Sequence, residues 1–247
     1  MFSEMTILTA LRTAATAALA TDLMARKSAS ILALIGTGAQ SEFQVAGLQL
    51  VRDITEVRFF DTDVAAMDKF EKNMSGSKLK LTRSKSAEEA VSGADIITVC
   101  TACKAEVDVV KNGWVKLGVH INALGGDTVG KTELELNTLS RCRIVVEYFD
   151  QCIVEGELQR LGKEKAQKSV HAELFELVNG DKKGRENDSE ITLFDSVGIA
   201  LEDYSILRLI YELAEKYEIG EERNLTPVID NPKDLISAVI PDLIRDL

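Results

Sequence analysis

The chain has 247 residues and a formal net charge of −11, with 45% hydrophobic and 28% charged residues. This length allows one large domain or two small ones, and the composition is ordinary for a soluble globular protein. The acidic balance argues against a nucleic-acid-binding surface, which needs clustered Lys and Arg.

The first segment, residues 6–25, is rich in Ala and contains neither Gly nor Pro, so it predicts one long helix ahead of the first strand. We expect no membrane span. A membrane helix requires a run of about 18 apolar residues, and no apolar run in this sequence approaches that length. The N-terminus also lacks the basic start of a signal peptide, since its first charge is Glu4 and Arg12 interrupts the apolar part. We therefore expect a cytoplasmic protein.

Apolar runs rich in Ile and Val then alternate with helical patterns along the chain. Near-continuous runs of this kind are typical of strands that helices cover on both faces. The alternation predicts an α/β fold with a doubly wound, mostly parallel sheet. The predicted strands are residues 31–35, 57–60, 79–82, 96–100, 120–124, 143–147 and 191–194. The predicted helices that follow the first strand are residues 40–52, 64–73, 86–91 and 197–217.

The rest of the second half is less regular. Residues 151–188 are polar and charged, and residues 180–184 mark an exposed turn. The tail after Glu218 holds all three prolines of the chain. We find no internal repeat and no low-complexity segment.

A CxxC pair, Cys100 and Cys103, is compatible with a redox pair or with half of a zinc site. The other two cysteines, Cys142 and Cys152, do not form a second such pair, and no His lies near enough in sequence to complete a tetrahedral set. We therefore expect reduced structural thiols and no metal site.

The first predicted strand runs into a GxGxxG-like turn with Ser41 in the third position. Gly36 permits a tight turn, and the missing side chain at Gly38 lets the backbone approach a pyrophosphate. Free N–H groups at the start of the next helix would then meet the phosphates. The turn therefore predicts a dinucleotide site, with a glycine turn in an unrelated α/β fold as the alternative.

The second predicted strand ends at Asp61, roughly twenty residues after Gly38, which is the spacing expected for a ribose-binding acid. A carboxylate there accepts hydrogen bonds from the adenine ribose and repels a 2′-phosphate, so it favours NAD over NADP. Asp63 competes with Asp61 for this role.

The strand at 120–124 leads into a second group of polar and small residues. Asp127 follows the carboxyl end of the strand, where ligands bind in an open α/β sheet, so we expect it beside the nicotinamide half of the cofactor. Gly125 and Gly126 would clear space for a ring, and Lys131 supplies a nearby cation. The alternative is that Asp127 caps a helix beginning near Lys131.

Arg12 is the remaining candidate. It lies in the predicted opening helix among Ala, Thr and Leu, where a charge is costly without an anionic partner. The forked donors of a guanidinium suit a substrate carboxylate. The alternative is an arginine that faces solvent.

Five stretches, in order along most of the chain, together resemble the ornithine cyclodeaminase/mu-crystallin family. They are LTALRTAAT (8–16), IGTGAQSEFQ (35–44), ADIITVCTA (94–102), INALGGDTVGKTEL (121–134) and FDSVGIALEDY (194–204).

The resemblance implies a role for each matching position. Asp127 matches the catalytic aspartate, Arg12 an arginine that binds the substrate carboxylate, and Val197 a residue against the substrate. The cofactor site implied by the resemblance and by the turn comprises Gly36, Gly38, Ala39, Gln40, Asp61, Thr101, Leu124, Gly125, Gly126, Lys131 and Ser196.

The activity that the resemblance implies is the NAD-dependent cyclisation of L-ornithine to L-proline and ammonia, with hydride given to NAD and then returned. Two alternatives stay open: an NAD(P)-dependent imine reductase or amino-acid dehydrogenase of the same family, and an NAD-binding fragment without activity. The family is homodimeric and starts with a substrate-binding and dimerising segment that we do not find here.

The resemblance also suggests how the chain is divided. We expect a linking helix at 1–27, an NAD-binding domain at 28–200, and a C-terminal helix and tail at 201–247. Val129 stands where the resemblance suggests proline, and Cys103 where it suggests an acid.

Overall fold

The structure, a computed structural model, describes residues 3–221. The strands are β1 (Ile31–Ile35), β2 (Glu56–Phe60), β3 (Lys80–Arg83), β4 (Ile96–Val99), β5 (Glu106–Val110), β6 (His120–Ala123), β7 (Thr132–Leu134), β8 (Cys142–Val146), β9 (Val170–Glu173) and β10 (Ile191–Asp195). The α-helices are α1 (Thr6–Met24), α2 (Ser41–Gln49), α3 (Val64–Met74), α4 (Ala87–Val91), α5 (Leu136–Leu139), α6 (Phe149–Glu155), α7 (Lys163–Ser169), α8 (Leu174–Val178) and α9 (Ala200–Tyr217).

The chain divides into two compact units. The first ends at Leu207 and contains every strand named above. The described part of the second unit begins at Arg208 and consists of the C-terminal part of α9 and the residues that follow it up to Glu221. Residues 222–247, which hold the three prolines of the predicted tail, lie outside the described residues.

The main sheet has eight strands in the order β3-β2-β1-β4-β6-β10-β8-β9, and every pairing in it is parallel. This confirms the predicted doubly wound parallel sheet. The strand order reverses between β1 and β4, because β2 and β3 lie on one side of β1 while the later strands lie beyond β4. A reversal of this kind opens a crevice at the carboxyl ends of the two strands, where ligands bind.

Both faces of the sheet are covered. In β1, Ala33 and Ile35 pack into one apolar cluster, and Leu32 and Leu34 pack into the other. This alternation explains why the strand is apolar at every position, since neither face meets water. Burying a large aliphatic side chain of this kind stabilises the fold by about 1.5–3 kcal/mol.

A polar layer crosses the middle of the sheet under α1. The ring nitrogens of His120 contact Thr192 Oγ1 at 2.9 Å and Asn122 Oδ1 at 3.1 Å. The Asn122 amide donates to Thr21 Oγ1 of α1 at 2.9 Å and to Thr98 Oγ1 at 3.5 Å. All of these side chains are buried, and burial lowers the pKa of His120 to about 3, so the ring is neutral.

Helix α1 has the length and mean hydropathy, 1.2, of a possible membrane span, and 44% of the stretch is buried inside the protein. We expected no such segment from the sequence. The finding is weak evidence for a membrane span, because buried core helices pass the same test. In α1 the buried residues include Ala14, whose carbonyl oxygen would lie 2.9 Å from a Cβ atom added at Gly47 of α2.

The strands and helices differ from the prediction mainly at their ends and in two regions. Strands β5 and β7, which form a separate parallel pair, were not predicted. Residues 151–188, read only as polar, contain α7, β9, α8 and most of α6. The last predicted helix begins at Ala200 rather than at 197, since Gly198 has a φ of +94° and cannot extend a right-handed helix.

Candidate active site

An open cleft of about 1180 Å³ lies at the carboxyl ends of β1, β4, β6 and β10. It brings together almost every candidate residue, although they are spread over nearly two hundred positions of sequence. The candidates that line it are Arg12, Gly36, Gly38, Ala39, Gln40, Asp61, Thr101, Leu124, Gly125, Asp127, Lys131, Ser196 and Val197.

The glycine turn forms one end of the cleft. Gly36 has a φ of +97°, and a Cβ atom there would lie 2.7 Å from the carbonyl oxygen of Cys100. A Cβ atom at Gly38 would meet no atom within 4 Å, so Gly38 borders open space. The hydroxyl of Ser41 donates to the carbonyl oxygen of Gly38 at 2.7 Å and closes the turn. The turn therefore exposes backbone to the cleft at the start of α2, as pyrophosphate binding requires.

A cation also holds this turn. Lys69 Nζ donates to the Gly38 carbonyl oxygen at 3.0 Å and pairs with Glu42 Oε1 at 2.8 Å. Glu42 lies in the first turn of α2, where a lone carboxylate would repel phosphate. The Lys69 pair compensates this charge.

Asp61 and Asp63 have different partners. Asp61 Oδ2 accepts from the backbone N–H of Thr37 at 2.6 Å, and Oδ1 accepts from the N–H of Asp63 at 3.0 Å. Asp63 is the N-cap of α3 and accepts from the N–H groups of Ala65 and Ala66. Asp61 is thus joined directly to the glycine turn, whereas Asp63 is engaged in capping.

Asp127 lies in the loop after β6 with 58% of its side chain exposed. Its Oδ1 is 3.0 Å from Nζ of Lys131, whose side chain is 6% exposed. The residues after Lys131 form strand β7, so the alternative in which Asp127 caps a helix beginning there is wrong. The cleft therefore presents an accessible carboxylate beside a mostly buried ammonium group.

Arg12 lines the cleft from α1, and the alternative of a solvent-facing arginine is wrong because its side chain is 15% exposed. Its Nη1 is 2.8 Å from Glu202 Oε2 and its Nε is 3.0 Å from Asp203 Oδ1. The anionic partners that the sequence analysis required thus come from the first turn of α9 in this structure. A Cβ atom at Gly198 would lie 2.5 Å from Nη1, so the glycine makes room for the guanidinium.

Two acidic residues beside the cleft were not among the candidates. Glu147, directly after β8, accepts from the Ser196 hydroxyl at 3.0 Å and from the Gly198 N–H at 2.5 Å. Its carboxyl group also bonds that of Glu202, and burial together with this contact raises the pKa of Glu202. An acid at the carboxyl end of an apolar strand was a signal that could have identified Glu147.

Glu133 is the second, and it changes the expected role of the paired glycines. Its carboxyl group accepts a hydrogen bond from the Thr101 hydroxyl and lies against Gly125, where any Cβ atom would overlap it. The space beside Gly125 is therefore filled by this chain's own carboxyl group. Gly126 is not among the residues that line the cleft, and a Cβ atom added there would lie 3.5 Å from backbone atoms of Glu155 and Gly156.

Cys100 and Cys103 line the cleft as free thiols. Burial raises the pKa of Cys100 to about 12, so its sulfur is a thiol rather than a nucleophilic thiolate. Among residues 3–221 no group of His, Cys, Asp and Glu side chains has a metal-binding arrangement.

Three features at the glycine turn fit a dinucleotide. Open space lies above Gly38, and the Asp61 carboxylate adjoins the same turn. The side-chain oxygen of Gln40 is buried without a hydrogen-bond partner in the described structure. A ligand that offers a hydrogen-bond donor near the turn would satisfy this oxygen.

The chain is similar in sequence and in fold to known proteins. The sequence profile of the ornithine cyclodeaminase/mu-crystallin family matches residues 1–218. An ornithine cyclodeaminase from Agrobacterium tumefaciens (strain Ach5) is 43% identical over 242 residues, which are 97% of this chain and 66% of that relative. The chain thus spans slightly less than two thirds of the length of this relative.

Two solved structures share the fold. Delta(1)-pyrroline-2-carboxylate reductase from Thermococcus litoralis, in complex with NADH and L-proline, has a TM-score of 0.84 at 36% identity, covering 89% of this chain and 69% of that one. A lysine cyclodeaminase, solved to explain its recognition of L-lysine, L-ornithine and L-2,4-diaminobutyric acid, has a TM-score of 0.85 at 28% identity, covering 95% of this chain and 67% of that one.

Proposed function

Because the family profile spans most of its length, this chain belongs to the ornithine cyclodeaminase/mu-crystallin family, and we propose that it takes part in the NAD-dependent cyclisation of L-ornithine to L-proline and ammonia. The observation that carries the proposal is that one cleft is lined by Asp127, Lys131 and Arg12 together with the glycine turn. The relative that is 43% identical and has this activity in its name supports it.

NAD is the cofactor that these residues would hold. Its pyrophosphate would lie over Gly38 with Ala39 and Gln40 beside it, and its adenine ribose would bond Asp61. The nicotinamide end would then reach the loops after β4, β6 and β10, which carry Thr101, Asp127 and Ser196. When bound, NAD⁺ accepts a hydride from the substrate and, once reduced, returns it.

Asp127 would handle the protons of the reaction. The α-amine of ornithine must lose a proton before a hydride can leave its carbon, and an accessible carboxylate in the cleft can accept that proton. The δ-amine then attacks the resulting imine carbon within the same molecule, which proximity favours. Ammonia leaves after proton transfer through Asp127, and the cyclic imine is reduced to proline. The sum is ornithine to proline plus ammonia, with no net oxidation.

Arg12 would bind the substrate carboxylate. Its guanidinium is paired with Glu202 and Asp203 here, so a substrate carboxylate would have to replace one of these partners or share the guanidinium with both. Asp203, with 37% of its side chain exposed, is the more easily displaced of the two. Val197, which also lines the cleft, would lie against the carbon chain of the substrate.

The direct test is incubation of the protein with L-ornithine and NAD⁺, followed by mass spectrometry for proline and an ammonia assay. Proline and ammonia in equal amounts, with no net NADH, are expected. The relationship to the Thermococcus litoralis reductase favours a second candidate, an NAD(P)-dependent imine reductase. That activity would instead consume NADH when a cyclic imino acid is supplied. NAD binding without either product would contradict both.

A further inference from the structure

Glu133 lies on the short strand β7 and is fully buried, yet it belongs to none of the expected site residues. One carboxyl oxygen, Oε1, accepts from the Thr101 hydroxyl. The other, Oε2, is buried without a hydrogen-bond partner in the described part of the chain and lies against Gly125. Burying a carboxyl oxygen without a hydrogen-bond partner costs free energy of folding, so a buried acid of this kind has a specific physical reason.

The two contacts of this carboxyl group join two loops. Thr101 belongs to the loop after β4, and Gly125 to the loop after β6, two residues before Asp127. Both loops line the cleft. One side chain therefore connects the loop that carries Asp127 to the loop that carries Thr101.

The backbone of strand β7 is itself fixed by hydrogen bonds to Glu157. Glu157 Oε1 accepts from the backbone N–H of Glu133 at 2.8 Å, and Glu157 Oε2 accepts from that of Leu134 at 3.0 Å. Asp195, at the end of β10, in turn accepts from the N–H of Glu157 at 3.0 Å. The Glu133 side chain thus starts from a backbone that is fixed to the main sheet.

Several charged or titratable groups surround Glu133. They are Asp127 and Lys131 on the loop after β6, Cys100 at the end of β4, and Glu157 behind β7. Burial raises the pKa of Glu133 to about 7, and the Thr101 hydroxyl and the Lys131 charge partly oppose this rise. The carboxyl group can therefore gain or lose a proton near neutral pH.

We propose that Glu133 is a positioning residue whose carboxyl group ties the Thr101 loop to the Gly125–Gly126–Asp127 loop and so sets the nicotinamide end of the cleft. The inference rests on the proposed NAD site but not on the identity of the substrate. Glu133 acts through Thr101 and Gly125 and does not itself transfer a proton to the substrate.

The first test uses Glu133→Gln, which keeps an oxygen to accept from Thr101 but cannot ionise, with Glu135→Gln as the matched control outside the cleft. NAD⁺ binding is measured by calorimetry at pH 7 in phosphate and in Tris, whose ionisation enthalpies differ. The cationic ring of NAD⁺ should favour ionised Glu133, so the unaltered protein and the control should release a fraction of a proton on binding. Glu133→Gln should release none. Absence of release in the unaltered protein, or equal release from Glu133→Gln, would overturn the proposal.

The second test removes the fit between Glu133 and Gly125. Gly125→Ala forces the carboxyl group away and should weaken NAD⁺ binding by about tenfold or more. Adding Glu133→Ala makes room for the new methyl group, so the double variant should bind NAD⁺ more tightly than Gly125→Ala alone. Equal or weaker binding by the double variant would contradict the proposal, and this comparison holds even if Gly125→Ala is poorly folded. A protein that passes both tests but forms no proline would refute the proposed reaction and leave this inference standing.

Discussion

Among single residues, Asp127 combines exposure to the cleft with a close cation, Lys131, at 3.0 Å. An ionised carboxylate that water and substrate can reach is the state that a general base needs. Asp127 also belongs to the loop that Glu133 contacts at Gly125. Its position therefore does not depend on its own side-chain contacts alone.

Asp127→Asn should lower the rate of proline formation by on the order of 10²–10⁴-fold, because the amide keeps the shape of the side chain but cannot accept the proton. NAD⁺ affinity should stay within a few-fold, since the Asp61 end of the cleft is untouched. Steady-state kinetics and calorimetry separate the two quantities. Equal loss of both would contradict the assigned role.

Asp61→Asn should relax the preference for NAD over NADP, because the change removes the charge that would repel a 2′-phosphate. We choose Asn rather than Ala because its side-chain oxygen can still accept from the Thr37 N–H, now bonded to Asp61 at 2.6 Å. The ratio of the two dissociation constants, measured by calorimetry, is the readout. An unchanged ratio would count against the ribose assignment.

Sequence patterns singled out the glycine turn, Arg12, Asp61, Asp127 and Lys131. The family resemblance added Thr101, Ser196 and Val197, and all of these residues line the cleft. The sequence did not identify Glu133 or Glu147, although the position of Glu147 directly after strand β8 was a usable signal. Both are acids in apolar surroundings, and their partners, Thr101 and Ser196, are distant in sequence. It also could not show that Arg12 meets Glu202 and Asp203, since that contact depends on how α1 packs against the start of α9.

At the scale of elements, the turn between β1 and α2 contains two glycines with different reasons for being glycine. At Gly36 the backbone has a positive φ and a side chain would strike the Cys100 carbonyl oxygen. At Gly38 a side chain would meet only open space. Gly36 is therefore needed for the turn to fold, whereas Gly38 is needed only for the turn to bind a ligand.

Gly36→Ala should destabilise the protein by about 1–3 kcal/mol through backbone strain and overlap. Gly38→Ala should leave stability nearly unchanged and should weaken NAD⁺ binding, because the new methyl group occupies the space expected for the pyrophosphate. Urea unfolding measures the first effect, and calorimetry with NAD⁺ measures the second. A Gly38→Ala variant that binds NAD⁺ normally would exclude this turn as the pyrophosphate site.

The main strands were predictable because helices cover both faces, which leaves apolar runs such as β1 and, apart from Thr98, β4. Strands β5 and β7 were not, because β5 has an exposed, charged first half and β7 is three residues long. The helices within 151–188 were missed because α7 is mostly exposed, and only Ala166 in it is fully buried. Amphipathic periodicity is too weak a signal in elements this short.

At the scale of the whole molecule, several buried carboxyl groups link stability to pH. Burial raises the pKa of Glu133 and of Asp195 to about 7, and that of Glu157 to about 8. In the unfolded chain these groups ionise at lower pH, near 4. Between their unfolded and folded pKa values the native state therefore binds more protons, so stability falls as pH rises.

The free energy of unfolding should decrease between pH 6.5 and pH 8, by on the order of 1 kcal/mol per pH unit for each group that titrates in the window. The window begins at 6.5 because below it the buried, neutral His120 destabilises the fold as the unfolded histidine becomes protonated. Urea unfolding followed by circular dichroism at the two pH values measures the change. Glu133→Gln should show a shallower decrease, whereas a flat profile in the unaltered protein would show that these groups are ionised in the native state.

The polar layer beneath α1 affects the register in which the strands pair. An apolar strand that slips by two residues keeps the same faces buried, so hydrophobic contact alone scarcely penalises the error. In this sheet such a slip would separate His120 from Thr192 and Asn122 from Thr98. Their polar groups would then be buried without hydrogen-bond partners. Each orphaned group costs about 1–3 kcal/mol. The polar layer therefore disfavours sheets with a shifted strand register, which apolar contacts alone would tolerate.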